Sequence, residues 1–348
     1  MSQTTAAPAN DTVNRMLHGA RALFAGAALA CSLVTEAAPR SEPKPDWSAR
    51  DMPSLAGRTV LVTGGTSGMG YEDALAVARA GADVIIAARN PERGQASIAN
   101  IRQAVPNANV TFEAVDLANL ESVRGLASRL RERLPKLDVL INNAAIMAPP
   151  TRSESADGYE MQFATNYLGH FALTGLLLPL LQNSDDARVV SLSSIAAGRG
   201  TLNLDDLQAE RQYDPYATYA QSKLAVLVWG VDLQRRSEAS NWGLRSIVAH
   251  PGVAVTELIK RGPGLDSEFG KQWAQDRDVY HSAAQGALPT LYAATAPDAH
   301  GGAYYGPTGD DEKRGPLGFA TVPETVNDRA LAEALWQVSE RLTGVTYP

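Results

Sequence analysis

The sequence predicts a single α/β domain built on a doubly wound parallel sheet with helices on both faces. Three observations carry that expectation. Short runs rich in β-branched residues alternate with helical segments, the runs are apolar on both faces, and the alternation continues from about Gly57 to about Tyr305 without a second linker. Strands buried on both faces and separated by helices belong to parallel sheets. Right-handed crossovers then wind such a sheet in both directions.

The strands expected are Thr59–Val62, Val84–Ala87, Val110–Val115, Val139–Ile141, Arg188–Leu192 and Ser246–Ala249, with helical segments such as Tyr71–Ala80 and Glu160–Leu181 between them. Residues 307–348 read as a tail whose stretch Asp328–Leu342 forms a last helix. This places the domain at residues 52–348 and leaves 1–51 as an N-terminal extension. That extension starts with a Ser-, Thr-, Ala- and Asn-rich stretch, continues through the uncharged segment Ala22–Val34, and ends in the Pro-rich linker Pro39–Pro45. The uncharged segment has the length of a signal-peptide core, but the stretch before it is long and contains Asp11, which favours a disordered or amphipathic extension. The 348 residues alone would allow two domains at ~150 residues each; one domain plus this extension accounts for them.

Composition narrows the function classes. Hydrophobic residues make up 45% and charged residues 20%, as in ordinary globular chains. Thirty-one basic against 38 acidic residues leave a net charge of −7 with no basic block, which argues against a nucleic-acid surface. No apolar run reaches the ~18–20 residues needed to span a bilayer. The single cysteine, Cys31, excludes an internal disulfide framework and fits a reducing, cytoplasmic compartment. The five histidines show no metal-ligand spacing, so no metal is expected, and His170 and His250 read as structural hydrogen-bonders. A Gly-x-Ser-x-Gly hydrolase elbow is absent.

The first strand runs into Thr63-Gly64-Gly65-Thr66-Ser67-Gly68-Met69-Gly70 and then a helix. A dinucleotide pyrophosphate needs such a turn: positive φ, close backbone approach, and free N–H groups at a helix N-terminus. Gly64, Gly68 and Gly70 give the spacing G-x-x-x-G-x-G, and Thr66, Ser67 and Met69 fill the turn between them. The second strand ends at Ala87-Ala88-Arg89-Asn90, where an acid would hold a ribose 2′-hydroxyl and an arginine suits a 2′-phosphate. The nearby acid, Asp83, starts the strand instead, so the cofactor expected is NADP(H).

Tyr219 and Lys223, spaced i and i+4 in a helical run, share one face. Strand Arg188–Leu192 ends in Ser193-Ser194, and an earlier strand closes in Asn142-Asn143-Ala144-Ala145, both at the carboxyl edge where such sheets bind ligands. Asn166 follows within Thr165-Asn166-Tyr167-Leu168-Gly169-His170.

With these motifs in order, residues 55–310 resemble the short-chain dehydrogenase/reductase family, a Rossmann-type fold. The segments Ile86–Asn90, Asn166–Phe171, Ser222–Ala225 and His250–Gly252 look most like its retinol-dehydrogenase-like branch. The resemblance implies an alcohol–carbonyl oxidoreductase. Tyr219 would be the acid/base, Lys223 its activator, Ser194 the donor to the carbonyl oxygen (Ser193 the fallback), and Asn166 part of a water relay. It further implies that Asn142 and Ala144 lie near the adenosine ribose, that Asp116 with Leu117 meets adenine, and that Pro251, Gly252, Val253 and Thr256 meet the nicotinamide. The family often dimerises through the helices carrying Asn166 and Tyr219.

The chemistry is coherent by itself. Hydride moves between the nicotinamide and a carbonyl carbon while the oxygen exchanges a proton with a side chain. A tyrosine acting as base near neutral pH needs its pKa lowered by ~2–3 units, which a neighbouring positive charge can do. The segments Ile195–Tyr213 and Val253–Trp273 are expected to form a lip around a lipophilic alcohol or ketone. A rival reading is a catalytically silent cofactor-binding regulator of the same fold. Such proteins usually lose part of the Ser–Tyr–Lys set, which is complete here. Protochlorophyllide reductase is disfavoured because Cys31 lies outside the domain.

Overall fold

The computed structural model describes residues 42–348. The segment 22–34 therefore lies outside the described residues. Eight strands are β1 (Thr59–Thr63), β2 (Asp83–Ala88), β3 (Val110–Ala114), β4 (Val139–Asn142), β5 (Ala187–Leu192), β6 (Leu244–Ala249), β7 (Tyr304–Gly309) and β8 (Arg314–Phe319). They form one sheet in the order β3-β2-β1-β4-β5-β6-β7-β8. Pairing is parallel throughout except between β7 and β8. The order reverses between β1 and β4, and a crevice at the carboxyl ends of the strands is the outcome of such a switch.

The helices are α1 (Gly68–Arg79), α2 (Pro91–Ala104), α3 (Leu120–Arg133), α4 (Met161–Phe163), α5 (Gly169–Gln182), α6 (Pro215–Ser240), α7 (Leu258–Arg261), α8 (Glu268–Gln275), α9 (Ala283–Gly286), α10 (Leu288–Thr295) and α11 (Arg329–Thr343). Strand alternation divides the core in two. Leu61, Ile85, Leu140, Val189 and Val248 face α3, α5 and α6, where they meet Leu126, Leu177 and Leu227. Val60, Val62, Ile86, Ile141, Val190 and Ile247 face the other way, with Ala74 of α1, Ile98 of α2 and Leu291 of α10. This double burial is why the strands read as unbroken apolar runs.

Three features depart from the sequence expectation. The segment expected as one helix, Glu160–Leu181, consists of α4, a π-helical turn at Ala164–Leu168, and α5. Gly169, which ends the π turn, lies so close to the Leu117 carbonyl that an added Cβ would stand 2.3 Å from its oxygen. Second, residues expected in the tail supply half of β7 and all of β8, an antiparallel hairpin on the sheet edge. Pro307, Gly315, Pro316 and Gly318 disguise these strands, and edge strands are where proline is tolerated. Third, the packed body begins before residue 52: Trp47 is buried edge-on against Tyr292, 5.3 Å between ring centres. Among the described residues, no helix is long and apolar enough to cross a membrane.

α6 carries the site and is the longest helix. Asp214 caps it by accepting from Tyr216 N and Ala217 N, Pro215 opens its first turn, and Asn241 ends it in the left-handed region at φ 54°. Its middle, Thr218 to Gly230, is buried on every side, which holds Tyr219 and Lys223 rigidly beneath the sheet edge.

Candidate active site

A cleft of about 480 Å³ opens over the carboxyl ends of β1, β2 and β4. Gly64, Thr66, Ser67, Gly68 and Met69 form one wall. Ser67 is the N-cap of α1, yet no side chain caps that helix, so its first N–H groups remain available to an anion in the cleft. Gly64 has φ 71°, and a Cβ there would lie 2.9 Å from Ala144 Cα; the turn closes onto the loop after β4 only because the backbone is bare. Gly70 serves the same contact from behind, against the Asn143 amide, and does not line the cleft. Thr63 ties the two loops together: its Oγ1 accepts from Asn143 N at 3.0 Å and Ala144 N at 3.1 Å.

The other wall carries Arg89, Asn90 and Arg93. Asn90 caps α2 by accepting from Arg93 N at 2.8 Å, which turns both flanking arginines toward the opening. Asp83 lies at the opposite end of β2, accepting from Asn109 Nδ2 at 2.9 Å. Asp116, Leu117, Ala144 and Thr256 also line the cleft, as the sequence suggested. Asn142 does not. Strand alternation turns its side chain inward, where Nδ2 donates to Thr174 Oγ1 at 3.1 Å, and the next residue, Asn143, lines the cleft instead. The uncapped helix, the bare turn and the basic wall fit an anionic dinucleotide.

Tyr219 sits 6% exposed near Ser194, whose hydroxyl pulls the phenol pKa down. Ser193, the fallback, is turned away: its Oγ donates to the Lys223 carbonyl at 2.8 Å. Lys223 Nζ donates to Leu192 O at 2.8 Å and stands 6.0 Å from the centre of the Tyr219 ring. Burial pushes the phenol up to about 12, against the opposing pull of the Ser194 hydroxyl, and burial pushes Lys223 down to about 7. The lowering expected from a neighbouring positive charge is not what the chain presents by itself, where burial dominates the phenol.

Asn166 lies in the π turn. Its Oδ1 accepts from Ile146 N at 2.9 Å while Nδ2 donates to Ile146 O at 3.0 Å and to Ser222 Oγ at 2.9 Å. The side chain thus clamps the loop after β4 to α6. The Asn166 carbonyl faces His170 Nδ1 at 3.0 Å, and Thr63 Oγ1 faces Nε2 at 2.9 Å. Burial lowers the His170 pKa to about 4, so the ring is neutral and structural, as expected.

The segment after β6 is fixed by the β7–β8 turn. Gly252, at φ 69°, leaves no room for a side chain beside the Lys313 carbonyl, 2.4 Å from a Cβ placed there, and Val253 N donates to that same oxygen at 2.8 Å. His250 Nε2 lies 3.1 Å from a Glu312 carboxylate oxygen in the same turn. Pro251, Gly252 and Val253 stay outside the cleft, so Thr256 alone of this segment's expected contacts lines it. Val253 instead joins an apolar cluster packed around Tyr219 with Met147, Ala148, Leu258, Ile259 and Trp273. Both expected lip segments contribute, through Ala196 and through Val253–Trp273. Phe269 does not: it packs on Tyr216 at the surface, 5.6 Å between ring centres.

Sequence reasoning missed Asn143, Arg93, Arg261 and Tyr304. Tyr304 donates from its hydroxyl to Ser194 O at 3.1 Å and so supports the serine from below. Only Arg93 had a usable signal, since a cap at Asn90 directs the residue three places on back toward the turn.

The family model of short chain dehydrogenases matches residues 58–262. The chain belongs to that family. Within it the chain falls in the retinol-dehydrogenase-like branch. It is 38% identical over 307 residues to a polyprenol dehydrogenase of Mus musculus, covering 86% of this chain and 88% of the relative. It is 37% identical over 304 residues to retinol dehydrogenase 13 of Homo sapiens, covering 85% and 87%. A solved short chain dehydrogenase from Escherichia coli CFT073, complexed with NADPH, superposes with a TM-score of 0.57 at 25% identity, covering 75% of this chain and 98% of that one. The family makes this chain an oxidoreductase that uses an NAD(P) cofactor.

Proposed function

We propose that this protein is an NADP(H)-dependent oxidoreductase that interconverts a lipophilic alcohol and its carbonyl compound, with Tyr219 as acid/base. One observation carries the reading: the phenol of Tyr219, near the Ser194 hydroxyl, is packed among apolar side chains of which Met147 and Leu258 also line the basic dinucleotide cleft. Relatives named for retinol and polyprenol, and a neighbour solved with NADPH, support the substrate and cofactor classes.

When bound, the nicotinamide gives or takes the hydride at the carbonyl carbon. The chain's own groups handle the oxygen. With its pKa held near 12, Tyr219 is protonated at neutral pH and can donate to an oxygen that gains charge. Ser194 can offer a second hydroxyl to the same oxygen, beside an apolar cluster whose low polarity strengthens both bonds. In the oxidative direction the phenol must lose its proton, and Lys223, one helical turn away, can favour the phenolate by carrying positive charge. Asn166 keeps the loop carrying Met147 against α6.

The test is NADPH oxidation against a panel of lipophilic ketones and aldehydes, run beside Tyr219→Phe. Wild type should turn over and the variant should lose about 10²–10⁴-fold while still binding NADPH. Retained turnover in the variant would sink the mechanism.

A further inference from the structure

The cleft holds three guanidinium groups that the family's motifs do not jointly account for. Arg89 follows β2, Arg93 lies in the first turn of α2, and Arg261 ends α7 on the far side of the opening. Among the described residues none of the three side chains has a hydrogen bond or an ion pair. Two carboxylates share the lining, Asp116 and Glu257, and Glu257 is engaged by Lys260 Nζ at 3.1 Å. Arg261 has its pKa lowered by burial and then by the charges of Arg93 and Arg89, with Glu257 opposing, so the three cations repel one another across the gap. Cations in excess around a concavity favour an anion with several oxygens.

The segment carrying Arg261 is seated on both sides of the cleft. Thr256 rests against Gly68 of the glycine turn, and Gly262 lies so near the Met147 carbonyl that no side chain would fit between them. Within the same four-residue turn, Leu258 and Ile259 belong to the apolar cluster packed around Tyr219. One short element therefore presents a cation to the cofactor cleft and apolar side chains to the surroundings of Tyr219.

We propose that Arg261 joins Arg89 and Arg93 in a cage for the adenosine 2′-phosphate, so that this phosphate fastens the flap that packs beside Tyr219. The inference rests on the NADP(H) reading and extends it: the phosphate, remote from the reacting atoms, selects the cofactor and orders the segment next to Tyr219.

The experiment uses the full chain with adenosine 2′,5′-bisphosphate and adenosine 5′-monophosphate as probes, titrated by calorimetry, so that no turnover is needed. Wild type should prefer the bisphosphate, and Arg261→Ala should weaken it about tenfold or more while leaving the monophosphate within about twofold. Monophosphate binding also shows that the variant is folded. Hydrogen exchange across residues 255–275 should slow with the bisphosphate in wild type and not in Arg261→Ala. If wild type binds the two probes equally, the NADP(H) reading falls and the cage with it. If wild type discriminates and Arg261→Ala discriminates just as well, the cofactor stands and the cage is overturned. Equal slowing of exchange by both probes would overturn the flap.

Discussion

The two edges of the sheet each gather three arginines, and they treat them in opposite ways. At the amino edge Arg58, Arg188 and Arg245 converge on Asp186, and Arg58 also reaches Asp138 at 3.6 Å. Asp138 in turn accepts from Thr59 N at 2.8 Å, Ser184 Oγ at 2.7 Å and Lys136 Nζ at 2.9 Å. Arg188 is buried and further held by the Ala296 carbonyl at 2.7 Å. At the carboxyl edge Arg89, Arg93 and Arg261 line an open cleft with no carboxylate bound to them. The same residue type is part of the scaffold where a counter-charge is built in, and a candidate ligand contact where it is not. A parallel sheet makes this division natural: its amino edge only joins helices to strands, whereas its carboxyl edge lies at the switch point where ligands enter.

The sharpest way to break the comparison is to remove a cation from the open edge. Arg89→Ala should lower the preference for NADPH over NADH by about 10- to 150-fold, the worth of a charge-assisted bond. Its thermal stability should stay within about 0.5 kcal/mol of wild type, since no partner is orphaned. The check is kcat/KM with each cofactor beside a melting curve. A variant with unchanged preference would make Arg89 a solvated surface charge.

At the closed edge the signs reverse. Asp186→Asn takes away the carboxylate shared by three arginines and leaves Arg188, already pushed down to about 10 by burial and then by the neighbouring charge of Arg245, without its ion pair. Because Asp186 is itself part-exposed, the loss is smaller than for a fully buried pair, about 1–3 kcal/mol. Cofactor preference should not move. Urea unfolding gives the first quantity and the NADPH-to-NADH ratio the second. A shifted ratio would show that the two edges are not independent.

How legible these edges were in the sequence follows the same division. The glycine turn and the Tyr219–Lys223 pair are local patterns, in which neighbours in sequence are neighbours in space, and each appears where its spacing placed it. Arg261 could not be joined to Arg89 from the sequence, because their meeting depends on how the segment after β6 crosses the cleft. The π turn at Ala164–Leu168 was hidden because its composition is that of the helix around it. Asn142 was misplaced by a single step of strand alternation, which exchanges a cleft residue for a buried one. The upward push of burial on the Tyr219 phenol in the chain by itself could not be read either, since burial depends on packing that no motif reports.

Asp73 belongs to neither edge and tests whether an unpaired charge must mean a ligand. It lies in the middle of α1, fully buried, and neither carboxylate oxygen has a partner among the described residues. Burial, and then the charge of Glu72, push its pKa well above the usual carboxylate value of 3.8. The folded protein therefore keeps a proton on Asp73 at pH values where the unfolded chain has lost it. In that window the native state binds more protons than the unfolded state, so stability falls as pH rises from about 4 toward the raised pKa, by about 1.4 kcal/mol per pH unit. Asp73→Asn removes the titration and should flatten that slope while leaving both cofactor binding and the amino-edge network untouched. Urea unfolding of the two proteins at several pH values between 4 and 8 measures the difference. Parallel curves would mean that Asp73 is ionised in the folded chain with a partner of its own. A difference widening with pH would make it a neutral acid held in the core, so that an unpaired arginine at the rim and an unpaired acid beneath it have different meanings: the first is solvated and free to bind, the second is buried and must stay uncharged.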